Sequence, residues 1–202
     1  MNAMPLLQLV FNILIIIPLY YASREDLKYN RIDKKYVIMI FIIVMAYTML
    51  STEYVVERTF SFLITLGIFS AMTFFSRGAF GFGDTLILGA LGWYIGSLIF
   101  LRDFYMILVF TMLVWGAYQI IKNRKNINGL KQHLKTIHVL PIDKVLPGMI
   151  LASDYFMTGL TEKDIMELKK DGYVSLDIKL AYPFIPVIFI AFLIHIVFHL
   201  YF

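Results

Sequence analysis

Two acidic residues stand where carboxyl chemistry is worth asking about. Asp84 closes the stretch "GFGD", Gly81 to Asp84, at the mouth of a long apolar run. Asp26 lies in "ASREDLKYNRIDKKY", between Glu25 and Asp33, just beyond another apolar run. A carboxylate at the edge of hydrocarbon is costly unless it is solvated, paired or in use. Two carboxyls brought within a few ångströms do not both ionise easily, so such a pair holds a single proton. Its ionised member can take a proton from water, and its protonated member can polarise a carbonyl. That is the chemistry of amide hydrolysis by a carboxyl dyad. Gly81 and Gly83 fit the scheme as residues that permit backbone conformations closed to others and leave room for an incoming peptide. Phe82 lies between them. A plainer reading also exists for each acid: Asp84 suits the start of a helix, and Asp26 suits a solvated charge run. The sharper reading rests on finding both on one side of a membrane.

The elements that position these acids are apolar. Of the 202 residues, 60% are hydrophobic, and they gather into blocks. Soluble domains are nearer half apolar. Six runs have about the length needed to cross a bilayer: Leu6–Ala22, Tyr36–Leu50, Phe60–Phe75, Asp84–Leu101, Phe104–Ile121 and Tyr182–Phe202. The first lacks a basic segment before it and a small-residue cleavage site after it, so it reads as a retained helix. Lys and Arg split sixteen to two between the two sets of loops, with only Arg58 and Arg102 in the smaller set. This asymmetry puts the first, third and fifth loops in the cytoplasm and both termini outside. Asp26 and Asp84 then arrive at the same membrane face.

The expected fold is an all-α membrane protein with six transmembrane helices and a small cytosolic α+β domain between helices 5 and 6. Residues 1–121 carry the first five helices and the acid pair. Residues 122–180 form the cytosolic domain, and 181–202 the last helix. Within the cytosolic part, "KNRKNINGLKQHLK" reads as a polar extension of the fifth helix. "TIHVLPIDKVLPGMILASDYF" reads as short strands and turns. Thr161 caps a short helix with Asp164 three residues on, Gly172 ends it, and "YVSLDI" alternates as a strand. The chain has no cysteine, which excludes disulfides and thiolate metal sites. No cofactor, no bound metal and no nucleic-acid partner is expected.

"GFGD" resembles the G-x-G-D signature of membrane aspartic proteases. Asp26, followed by Leu27, Lys28 and, further on, Ile32, resembles the first catalytic aspartate of the prepilin peptidases within that group. The six-helix layout, the small size and the insert before the final helix are similar to the archaeal preflagellin and type IV prepilin peptidases. The presenilin branch carries a Tyr-Asp pair inside a helix, which this chain lacks. The resemblance implies a membrane aspartic endopeptidase with Asp26 and Asp84 as the catalytic pair and Gly81, Phe82 and Gly83 receiving substrate. It implies a precursor with a short basic leader and an apolar helix, cut on the cytosolic side of the bilayer. An acidic rim of Glu25 and Asp33 would attract such a leader.

Other features are read conservatively. His195 and His199 lie four apart, the spacing of a metal-binding pair, but near the outer end of the last helix, where a structural role is favoured. Gly89, Gly92 and Gly96 form a small-residue face for close helix packing. Arg102–Asp103 reads as a solvated outer turn, Arg77 as a residue snorkelling to lipid phosphate, and Asp143, Asp154 and Asp164 as turn and cap residues. The alternative function is a small transporter using Asp84 as an ion or proton site, or an adaptor whose acids are merely interfacial.

Overall fold

A computed structural model describes residues 3–29, 32–51, 54–75, 81–123, 138–145, 147, 149–151, 160–179 and 183–201. The readings given above for Arg77, Asp154, the stretch 124–137, Tyr182 and Phe202 fall outside those residues. The long helices are α1 (Ala3–Tyr29), α2 (Lys34–Leu50), α3 (Val55–Phe75), α4 (Phe82–Ile95), α5 (Leu98–Asn123) and, near the end of the chain, α7 (Ile185–Tyr201). A short helix, α6 (Glu162–Lys170), lies with three strands between α5 and α7. By length and composition, three helical segments are able to cross a membrane: Leu6–Tyr29, Val55–Phe74 and Leu98–Tyr118. Phe82–Ile95 and Ile185–His199 are shorter apolar helices.

The long helices share one apolar core. Leu19 of α1, Ile40 of α2, Leu88 of α4, Phe104 of α5 and Phe192 of α7 are all fully buried in it. Their outer faces are equally apolar: Ile42, Met49 and Phe110 are each more than three-fifths exposed. A water-soluble bundle segregates polar residues to that face, and one solvated by lipid does not.

α4 occupies the centre, with α2, α3 and α5 against it. Nine of its fourteen residues are buried, Asp84 among them. Its length is only about 21 Å at 1.5 Å per residue. The apolar run Asp84–Leu101, expected as one helix, is in fact divided. Gly96 adopts φ 73°, which ends α4, and α5 begins at Leu98. Only glycine takes that backbone without strain, and a side chain there would also strike Arg58. Arg102 and Asp103 therefore lie within α5 and not in a turn. They pair at 2.9 Å with Arg102 well exposed. The hydropathy of the run does not register the break, because both halves are equally apolar.

The small-residue face of α4 packs as expected. A Cβ on Gly89 would meet Leu66 Cδ2 at 2.7 Å, and one on Gly92 would collide with the Thr65 hydroxyl. The helices approach so closely that Ser61 Oγ of α3 donates to the Gly96 carbonyl at 2.7 Å.

Between α5 and α7 lies a three-stranded antiparallel sheet of β1 (His138–Pro141), β2 (Ile150–Leu151) and β3 (Ser175–Lys179), in the order β1-β3-β2. α6 starts at a capping box as anticipated: the Thr161 N–H donates to Asp164 Oδ2 at 2.7 Å, and the Asp164 N–H donates to Thr161 Oγ1 at 3.2 Å. Gly172, at φ 82°, follows its end. Ile142, Leu160, Ile165 and Ile178 form a second, separate apolar cluster around this sheet. Asp143 pairs with Lys169 at 3.0 Å.

Gly92→Ala is expected to destabilise the bundle by about 1–3 kcal/mol through overpacking against Thr65 and the Ser61 carbonyl. Gly67→Ala, where a Cβ meets nothing within 4 Å, should be neutral or stabilising by up to about 1 kcal/mol. Thermal melts in detergent compare the two.

Candidate active site

Asp84 is the third residue of α4. Its Oδ2 reaches back to accept the Gly81 N–H at 3.0 Å, the local bond of a helix-capping acid. Thr85 ties the same turn together through its N–H to the Gly81 carbonyl at 3.3 Å. The expectation that Asp84 suits a helix start is thus met in its local geometry. The carboxyl remains buried, with 8% of the residue exposed.

Asp26 lies inside α1 and not beyond it, because the helix continues to Tyr29. Only 5% of it is exposed. Its Oδ2 accepts the backbone N–H of Ile185, the first residue of α7, at 3.0 Å. The Phe184 N–H, one residue earlier, also bears on it. Asp26 therefore supplies, from a distant part of the chain, the cap that the apolar "PFIPV" start of α7 lacks.

The two acids face the same interior region. α1 and α4 are joined at their opposite ends, where Tyr94 Oη donates to Asn12 Oδ1 at 2.6 Å. Asn12 to Asp26 is about 21 Å along α1, and Tyr94 to Asp84 about 15 Å along α4. α1 is followed from that bond toward its C-terminus and α4 toward its N-terminus, so in antiparallel helices both acids lie to the same side of the bond. Each carboxyl also sits at a helix N-terminus, Asp84 at its own and Asp26 at that of α7. A helix end of that polarity favours negative charge.

The glycine loop departs from expectation in one respect. Gly81 has φ −72° and ψ 149°, an extended conformation open to any residue. Its use here is size: a Cβ would stand 3.2 Å from Asp84 Oδ2. Gly83 lies in the first turn of α4, where a Cβ would come 3.1 Å from the Ile32 Cδ1 methyl. Phe82 is half exposed beside them.

The acids expected to form a rim are engaged in local structure. Glu25 Oε2 accepts the Asp33 N–H at 3.1 Å. Asp33 caps α2 through the Lys35 N–H and pairs with the Lys35 ammonium at 2.8 Å. That contact holds Lys35 protonated beyond its ordinary range. Glu25 and Asp33 do line a cleft of about 820 Å³, together with Tyr29, Thr161, Glu162 and Met166. It opens between the α1–α2 connection and the start of α6.

His195 and His199 lie on one face of α7, their rings 4.4 Å apart. They line a separate cavity of about 260 Å³ with Gln8, Asn12 and Tyr94. His195 is about 15 Å along α7 from the Asp26 contact, so the pair has no part in the acid site. Among the described residues no group of three or more His, Cys, Asp or Glu is assembled to hold a metal ion.

Sequence reasoning missed the Ile185 N–H and the Tyr94–Asn12 bond. One weak signal was present: α7 opens with no polar capping residue, so its first N–H groups needed a partner from elsewhere.

The architecture is that of a helical bundle with an apolar exterior and two carboxyls buried at one end of it. Residues 13–120, just over half of the chain, match the type IV leader peptidase family. The chain belongs to that family and is a peptidase, and its three membrane-capable helices make it a membrane protein. The matched region contains both acids and the glycine loop, and ends before the sheet. Neither the comparison with curated proteins nor that with solved structures gave a match.

Gly81→Ala is expected to displace the Asp84 carboxyl, because the added Cβ would stand 3.2 Å from its Oδ2, and to lower peptidase activity by about tenfold. Gly83→Ala should have a smaller effect, because the Ile32 methyl can rotate away. Steady-state cleavage of a leader-bearing precursor by each folded variant measures both.

Proposed function

We propose that this chain is an aspartic endopeptidase that removes the short basic leader from archaellin-like or type IV pilin-like precursors at the cytosolic face of the membrane. Asp26 and Asp84 are its catalytic pair. They hold one proton between them: the ionised carboxyl takes a proton from the attacking water, and the protonated one donates to the scissile carbonyl. As the tetrahedral intermediate collapses and its C–N bond breaks, one carboxyl gives its proton to the leaving nitrogen and the other takes a proton from a hydroxyl of the intermediate, so the pair again holds a single proton.

The single observation that carries this reading is the burial of two carboxyls, from α1 and α4, within the region matched to the leader peptidases. The sequence-derived topology agrees with it. Six helices cross the bilayer, both termini lie outside, and residues 122–180 stand in the cytosol. A precursor's apolar helix lies in the bilayer against the bundle, and its leader extends into the cytosol. The junction between the two then falls at the depth of the acids. Gly81, Phe82 and Gly83 receive the unwound segment, since a bulkier loop beside Asp84 would obstruct an approaching backbone. The cleft lined by Glu25 and Asp33 offers the leader a path between the α1–α2 connection and α6.

The test is a pair of isosteric changes, Asp26→Asn and Asp84→Asn, assayed with precursors bearing a basic leader. Each should reduce cleavage by at least about a thousandfold while leaving the melting temperature close to that of the parent. Activity of the parent should fall on both the acid and alkaline sides of an optimum, as a shared proton requires. Mass measurement of the released leader identifies which precursor class is cut. Undiminished cleavage by either variant would remove that residue from the mechanism.

A further inference from the structure

Asp26 has an electrostatic problem that Asp84 does not. It lies in the last turn of α1, three residues from the helix end at Tyr29. The carbonyl groups at that end repel a negative charge. Asp84 lies instead at the favourable end of its own helix and takes its N–H from the same turn. Asp26 is nearly as buried as the interior leucines, so water does not correct the imbalance. The correction comes from α7, whose first N–H, on Ile185, is 3.0 Å from Asp26 Oδ2.

We propose that the backbone N–H of Ile185 is the positioning group of the acid pair: it fixes the Asp26 carboxyl and holds the pair's single negative charge there. The inference rests on the aspartyl-pair reading and adds to it a division of labour. Asp84 is set by its own turn, whereas Asp26 is set by a helix that begins 159 residues later. Because Ile185 is the first helical residue, its N–H has no intrahelical acceptor and is free for this use. Five residues, 180–184, separate β3 from α7. The group that orients Asp26 is therefore tethered to the sheet, and the part of the chain outside the family match contributes to the catalytic geometry.

The experiment compares Ile185→Pro with Ile185→Ala in the full-length enzyme. Both lose the buried side-chain packing of Ile185, but only proline loses the N–H, and proline is tolerated at the first helical position. A charge-assisted bond of this kind corresponds to about one pH unit or more. For Ile185→Pro the acid limb of the kcat/KM profile should move to higher pH by about that amount. The reason is that the singly ionised pair has lost a stabilising donor. kcat should fall about tenfold with little change in KM. Ile185→Ala should keep the parental pH profile.

Should the proline variant not fold, the α-hydroxy analogue of isoleucine at 185, which replaces only the N–H by an ester oxygen, carries the same expectation. A profile that coincides with that of Ile185→Ala overturns the positioning role. The Asp26→Asn variant keeps the two failures apart. If it still cleaves, the aspartyl pair itself is wrong. If it is inactive while the Ile185→Pro profile is unmoved, only the role of α7 is wrong.

Discussion

Two carboxyls, Asp26 and Asp84, are taken out of water at one end of the bundle and lose their hydration, and the fold must make that tolerable. What the protein supplies is oriented backbone. The Gly81 N–H, at the start of α4, donates to Asp84, and the Ile185 N–H, at the start of α7, donates to Asp26. Neither arrangement needs a basic side chain at the site. Helix ends fit this task because their dipoles are already aligned and need no reorganisation when charge develops.

The central position of α4 follows from the same need. A helix meant to deliver an acid into a low-dielectric interior must be enclosed by others, and enclosure requires a narrow surface. Gly89 and Gly92 let α3 approach until only a hydrogen atom fits between backbone and neighbour. Close contact of this kind holds helices together in lipid, where apolar burial alone gives little preference for one neighbour over another. At the far end, Tyr94 bonds Asn12, and the chain breaks at Gly96, so α4 stops short. Its short length and its anchor to α1 together set where Asp84 stands relative to Asp26.

The site also spans the chain more widely than its family match does. Residues 13–120 hold both acids, yet the contact that orients Asp26 comes from Ile185. On the proposed reading, the matched region supplies both acids but not the backbone donor to Asp26. The sheet and α6 form their own small apolar cluster, and five residues separate β3 from α7.

What the sequence determined by itself was local. The existence of the apolar helices, the Thr161–Asp164 capping box, the turn at Gly172 and the small face of α4 all depend on residues within a few positions of one another. Composition and spacing therefore suffice for them. The nomination of Asp84 was local too, since glycines and an acid at a helix start are visible in four letters. Tertiary structure alone decided the rest. It carried α1 past Asp26, divided one apolar run at Gly96, gave Gly81 an ordinary backbone, and placed the Ile185 N–H on Asp26. These outcomes depend on which surfaces meet across long chain separations. Hydropathy is blind to that, because in a chain so uniformly apolar many packings bury the same kind of surface and only a few polar bonds choose among them.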